Sequence, residues 1–191
     1  MEGRQDLKTE EIENLVLQAQ SGSSDAFAKL YDVFVSPIYR YIYYRAKSNA
    51  AEDLTELVFL KTWENIRQYR RGMHRFSSWI FRIAHNIVID HYRSNHIEEE
   101  LPENVEEYRP ELFAQTRAQR SLNSGILYSA MQQLKDHYRQ ILTLKYINDL
   151  SNDEIAEVLG KNSASLRILQ FRALKSLRHI FERMGISDFD M

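Results

Sequence analysis

SNDEIAEVLGKNSASLRILQFRALKSLR, residues 151–178, is the stretch that decides the fold. Ser151 with Glu154 forms a Ser-x-x-Glu capping box. The serine oxygen accepts from a first-turn backbone N–H and the glutamate reaches back to the cap. Ile155, Ala156, Val158 and Leu159 then recur at helical spacing, and Gly160 supplies the left-handed residue that closes such a helix. A second helix opens at Ser163 or its neighbour and turns Leu166, Leu169, Ala173, Leu174, Leu177 and Phe181 inward. A short helix, a glycine turn and a second, basic helix make a helix-turn-helix.

Working outward, helical spacing continues almost everywhere. Upstream, DHYRQILTLKYIND gives a helix with Ile141, Leu142, Leu144 and Tyr146, preceded by one through Ile126, Leu127, Ala130, Met131 and Leu134. Nearer the start, Ile12, Leu15, Val16 and Ala19 predict a helix with Thr9 as its N-cap, and Phe27 to Ile42 predict a second that Pro37 should kink or interrupt near Val35 and Ser36. A third begins around Ala51 and a fourth near Ser77 or Ser78, the latter with Trp79, Ile80, Ile83, Ala84, Ile87 and Val88 on its buried side. Between Asn95 and about Arg109 the periodicity fails, and the two prolines and many glutamates of IEEELPENVEEYRPE read as a linker. The expectation is an all-α chain of two small helical domains, residues 1–94 and 120–191, joined by an acidic linker, residues 95–119. The second domain is the helix-turn-helix.

Composition narrows the function. The chain of 191 residues has 25 Lys and Arg, 27 Asp and Glu, and no cysteine. That excludes disulfides, thiolate metal sites and a cysteine nucleophile, and fits a reducing compartment. No apolar run approaches the roughly 20 residues of a membrane span, and the acidic N-terminal stretch lacks the basic start of a signal peptide, so a cytoplasmic chain is expected. The net charge of −2 conceals its distribution. Residues 95–125 carry 3 basic and 7 acidic groups, whereas Arg67 to Arg93 holds six arginines against Asp90, and Lys161 to Arg183 holds six basic residues against Glu182. Two basic segments flank one acidic connector.

Each basic segment has a nucleic-acid reading. On the last helix, Ser163, Ser165, Arg167, Ile168, Phe171, Arg172 and Lys175 lie outside the apolar stripe, a mix able to meet phosphates, guanine edges and thymine methyls. In QYRRGMHRFSSWIFRIAHNIVIDHYRS, residues 68–94, arginines alternate with Tyr69, His74, Phe76, Trp79 and Tyr92. Cations along a backbone with aromatic faces for unstacked bases suit single strands. Phe76 and Trp79 also border an apolar stripe, which leaves a core placement open for both. His85 and His91 are six apart and fall on different helix faces, so no metal is expected. No Gly-rich phosphate loop, nucleophile elbow or paired-histidine motif is present, so no catalytic residues, cofactor or small-molecule substrate is expected. Asp90 reads as a local ion-pair or capping partner.

The order of these parts resembles the bacterial sigma-70 family, in particular its extracytoplasmic function (ECF) class of RNA polymerase sigma factors. DAFAKLYDVFVSPIYRYIYYR (25–45), AEDLTELVFLKTWENIRQYR (51–70) and FSSWIFRIAHNIVIDHYR (76–93) are similar to region 2 of that family, and residues 134–178 to region 4. The resemblance implies a non-enzymatic factor that binds core RNA polymerase, through its β′ and β subunits, and promoter DNA. An anti-sigma factor is implied as a further partner. Asp53, Leu54, Glu56, Phe59 and Trp63 would meet polymerase. Arg70, Arg71, His74 and Arg75 would form a loop that accepts a flipped base, and Trp79, Arg82, Asn86 and Arg93 would lie beside the −10 element. Ser163, Ser165, Arg167, Ile168, Phe171, Arg172 and Lys175 would read the −35 element. The family often has DLTQE where this chain has Asp53-Leu54-Thr55-Glu56-Leu57, so an expected acid becomes Leu57 and the carboxylate moves one place earlier. Leu169 stands where a basic or polar residue is common. A helix-turn-helix regulator that binds an operator without polymerase remains the alternative from the residues alone.

Overall fold

The computed structural model describes residues 2–46, 50–95 and 119–186, with side chains from Thr9 onward in the first helix and from Gly125 onward in the second half. Among these, every regular element is helical. The acidic linker, with Leu112 and Phe113, lies almost wholly outside the described residues.

Helix α1, Glu2–Gln20, begins seven residues before the expected Thr9 cap. Thr9 is interior to the helix because GRQDLK carries one glycine, no proline and otherwise adequate helix formers. Gly22, at φ 98°, turns the chain into α2, Ser24–Arg45, capped by Ser23 accepting from the Ala26 N–H at 3.2 Å. Pro37 sits inside α2 without ending it. Ile38, Tyr41 and Ile42 are buried beyond the proline as Leu30 and Phe34 are before it, so packing on both sides holds the helix through the missing hydrogen bond. Val33, whose carbonyl loses its usual donor, lies on the exposed side.

Helix α3, Ala51–Asn65, runs into a short 3₁₀ turn at Ile66–Gln68, and α4, Phe76–Asn95, begins one residue before the expected start. The Gln20 side chain donates to the carbonyls of Ile66 at 2.8 Å and Tyr69 at 2.9 Å, pinning the end of α1 to that turn. Tyr69 donates to Glu13 at 2.6 Å and lies edge-on to Phe76, centroids 5.4 Å apart.

In the second half, α5 spans Gln119–Gln132 and α6 Asp136–Leu142, which continues as a π-helical turn, Thr143–Ile147. The deciding stretch folds as read. Helix α7, Asn152–Leu159, has both halves of its capping box at Ser151 and Glu154, and Gly160 at φ 60°. The Lys161 N–H returns to the Ala156 carbonyl at 3.0 Å, a Schellman closure. Helix α8, Ser163–Arg183, is capped by Asn162.

The two halves pack against each other, with α7 lying along α4 and α6 against α2. Arg45, at the end of α2 and only 1% exposed, pairs with Asp136 at the start of α6 and also donates to its carbonyl at 3.1 Å. Beside it, Tyr43 meets Tyr128 with ring centroids 4.6 Å apart. His85 Nδ1 of α4 accepts from the Gln140 side-chain amide of α6 at 2.6 Å, with the Tyr41 hydroxyl 3.3 Å from the same nitrogen. An amide nitrogen only donates, so Nδ1 accepts and the ring is neutral.

Burial, then the positive Arg45, lowers the pKa of His85 to about 4. The unfolded chain therefore binds a proton that the folded chain refuses between about pH 6.5 and 4. Stability should fall as pH drops through that window and lose nothing more from this group below it. Urea unfolding at pH 7.5 and 4.5 checks this. His85→Gln, which keeps an acceptor, should flatten the difference.

Candidate nucleic-acid interface

Two surfaces carry the basic segments. On α8, Leu166, Ala173, Leu177, Ile180 and Phe181 are buried, so the helix phase is fixed. Ser163, Ser165, Arg167, Ile168, Phe171, Arg172 and Lys175 are all exposed, Phe171 to 69%. Ile168, Phe171, Arg172 and Lys175 follow i, i+3, i+4, i+7 and form one stripe. The hydroxyl of Ser165 is already engaged, donating to the Asn162 carbonyl at 2.7 Å. Gln170 donates to Asn152 at 2.8 Å and ties α8 to α7, so the helix-turn-helix is braced as a unit.

The second surface is the loop before α4 and one face of that helix. Arg70, Arg71, Met73, His74 and Arg75 are exposed, and Gly72 at φ 86° takes a backbone shape that L residues resist. Trp79, Arg82, Asn86 and Arg93 share a helix face, since steps of three, four and seven residues return to within about 60° of one another. The last three are exposed. Trp79 is half-buried between Tyr69 and Phe76, at 5.6 and 5.5 Å, and Phe76 is core. Arg93 lies 3.7 Å from Asp90, the expected local pair. A cleft of about 480 Å³ opens between this loop and α1, lined by Thr9, Glu10, Glu13, Arg71 and His74.

A third surface lies on α3. Asp53, Glu56 and Trp63 are exposed, whereas Leu54 and Phe59 are 8% and 5% exposed and belong to the core, the Phe59 ring tilted against Tyr31 with centroids 4.5 Å apart. Both help to hold α3 against α2. Sequence reading passed over Leu60, 53% exposed, which with Leu57 and Trp63 forms an apolar stripe at three-residue spacing. Trp63 rests edge-on against Phe27, centroids 4.8 Å apart. Glu56 and Leu57 are both outward, so the altered order of acid and leucine changes a surface and leaves the core alone.

Among the described residues no three His, Asp or Glu side chains converge as a metal site, and no helix is long and apolar enough to cross a membrane.

These features define a two-domain helical protein with a C-terminal helix-turn-helix. The family description "Sigma-70 region 2" matches residues 30–96, and "Sigma-70, region 4" matches residues 124–177. The chain is 35% identical over 169 residues to the ECF RNA polymerase sigma factor BldN of Streptomyces coelicolor, covering 87% of this chain and 64% of that one. It is 30% identical over 179 residues to the ECF RNA polymerase sigma factor SigW of Bacillus subtilis, covering 87% and 95%. Among solved structures, CnrH in complex with the cytosolic domain of CnrY has the same fold, with TM-score 0.70 at 21% identity over 91% of this chain and 98% of that one. The chain belongs to the sigma-70 family of RNA polymerase sigma factors, in its ECF group.

Proposed function

We propose that this chain binds core RNA polymerase and directs initiation at promoters of defined −10 and −35 sequence, acting by binding and without a catalytic step of its own. Its working units are residues 1–94 and 120–191, tethered by residues 95–119. The α3 surface, with Asp53, Glu56, Leu57, Leu60 and Trp63, docks on polymerase. Arg70, Arg71, His74 and Arg75 capture an unpaired base while Trp79, Arg82, Asn86 and Arg93 follow the opened strand at −10. On α8, Arg167, Ile168, Phe171, Arg172 and Lys175 read −35, with Ser163 and Ser165 at the helix start beside the backbone. The observation that carries this reading is the phase of α8. Every α8 side chain assigned to −35 is outward on a helix whose opposite face is locked in the core. Matching names among the relatives support polymerase as partner, and a solved neighbour bound to an anti-sigma factor supports control of the same kind.

Run-off transcription with the full chain and bacterial core polymerase, on fragments chosen by mapping transcript 5′ ends after overproduction, tests the reading. Start sites sharing two spaced motifs are expected. No promoter-specific start with any core polymerase overturns it. Within that assay, Arg167→Ala and Arg172→Ala should each lower promoter use by about tenfold, in line with roughly 1–3 kcal/mol for a base or phosphate contact. Fold and polymerase binding should be unchanged, and the effect should vanish on a template without the −35 motif.

A further inference from the structure

Tyr69, only 3% exposed, closes the loop before α4 on itself. Its one hydroxyl hydrogen faces two acceptors, the His74 carbonyl across the loop at 2.8 Å and Glu13 Oε1 of α1 at 2.6 Å. Burial, then the Glu13 hydrogen bond, raises the Tyr69 pKa, so the phenol keeps that hydrogen near neutral pH. Inside this clasp the Met73 N–H returns to the Arg70 carbonyl at 3.3 Å. Gly72 stands third in that turn at φ 86°, where a type II turn needs a left-handed residue. At the loop's entrance the Gln20 amide donates to the Ile66 and Tyr69 carbonyls, so α1 grips the chain just before Arg70 as well. Both ends of the turn are therefore held, while Arg70, Arg71 and Met73 point to solvent. Helix α1 also forms one wall of the cleft that Arg71 and His74 line, and the clasp sets how far the loop stands from that wall.

Glu13 is a costly means of holding a tyrosine in place. It is 6% exposed, and its Oε2 is buried with no hydrogen-bond partner. Replacing both partners of a buried polar contact by apolar groups of similar shape is commonly neutral or stabilising. A leucine beside a phenylalanine would fill the same space, but neither could reach the His74 carbonyl with a donor. The polar pair thus gives up stability and fixes the shape of an exposed basic loop.

We propose that Glu13 and Tyr69 are positioning residues for base capture: through the Tyr69 hydroxyl, α1 holds the loop from Arg70 to Arg75 preformed, so an unpaired −10 base meets a seat already shaped. This rests on the assignment of that loop to the −10 strand. Neither residue touches DNA, and each acts through the loop. Ordering one residue of a free loop lowers an equilibrium constant by roughly five- to thirtyfold, which is the penalty a preformed seat avoids.

The test uses the full chain bound to core polymerase on a promoter identified by run-off transcription. 2-Aminopurine at successive positions of the non-template −10 strand brightens when its neighbours leave the stack, and reports the open-complex equilibrium. Tyr69→Phe, which removes a single oxygen, should lower that equilibrium about tenfold, as expected for one loosened loop residue. Glu13→Leu with Tyr69→Phe should lower it at least as far while its urea midpoint stays at or above that of wild type. Glu13→Gln keeps an acceptor for the hydroxyl and should remain within twofold of wild type. Polymerase affinity should be the same for all three. A loss of opening that tracks a loss of urea stability in both Tyr69 variants overturns the proposal, because the pair would then serve the fold alone. An abasic site at the captured position separates the two ideas. Wild type indifferent to an abasic site at every −10 position removes the loop assignment. Wild type sensitive to one, with Tyr69→Phe opening intact DNA within twofold of wild type, overturns the positioning role and leaves the assignment standing.

Discussion

Leu60→Asp should lower affinity for core polymerase by about two orders of magnitude while leaving the unfolding midpoint of the free chain within experimental scatter. Leu60 is 53% exposed on α3, between Leu57 and Trp63, and holds nothing in the core. A surface substitution of this kind shifts stability by only about ±0.5 kcal/mol. At an interface the same position is central to an apolar stripe, and a buried carboxylate there has no partner. Hot-spot losses of about 2 to 4 kcal/mol correspond to factors of roughly thirty to a thousand. Trp63→Ala should cost binding less cleanly, because the ring also packs on Phe27. Phe59→Ala is the contrasting case. At 5% exposure under Tyr31 it should cost about 3–5 kcal/mol of stability, so any binding loss would report unfolding. Fluorescence titration of labelled chain with core polymerase measures all three, and Leu60→Asp binding within threefold of wild type would remove α3 as the docking face.

The difference between Phe59 and Leu60 shows what the sequence could carry. Helix α3 has apolar residues on nearly every side: Leu54, Val58 and Phe59 turn inward, while Leu57, Leu60 and Trp63 turn outward. Periodicity finds the helix but not its phase when both faces are apolar, and only the packing of α2 settles it. On α8 one face is apolar and the other basic, so phase and exposed set were readable, while the cap at Asn162 was located only to within a residue. The capping box and Gly160 were equally local, each fixed by hydrogen bonds within a few residues. Pro37 misleads because its local cost is outweighed by distant contacts along α2. The seam between the domains had no sequence signal, since Arg45 and Asp136 are 91 residues apart and no spacing in either segment points to the other. Helical order was legible from spacing, and the closed arrangement was not, because it depends on pairings whose partners are chosen by shape.

That seam makes the second large prediction asymmetric. Arg45 is 1% exposed and Asp136 58%, so the two partners of one ion pair stand in different dielectric surroundings. Removing the buried cation leaves a carboxylate that water can solvate. Removing the carboxylate leaves a guanidinium in the interior with the Asp136 carbonyl as its remaining acceptor across the seam and an Nε that already lacks a partner. Asp136→Ala should therefore weaken domain closure by about 3 kcal/mol, roughly two orders of magnitude in the open-to-closed ratio, and Arg45→Met by distinctly less. Burial raises the pKa of Asp136, but the Arg45 charge, with hydrogen bonds from Arg45 and Arg139, wins and holds it below the ordinary carboxylate value. A depressed folded pKa means the contribution is complete above the unfolded pKa, near 4, and is lost as pH falls through the folded one. Wild type in strong acid should thus resemble Asp136→Ala at neutral pH, and the variant should lose this part of the acid dependence while keeping the part set by His85 between about pH 6.5 and 4. Interdomain energy transfer against urea and pH reads both. Closure of Asp136→Ala within 1 kcal/mol of wild type would mean that the apolar contacts around Tyr43 and Tyr128, and not this charge, hold the domains together.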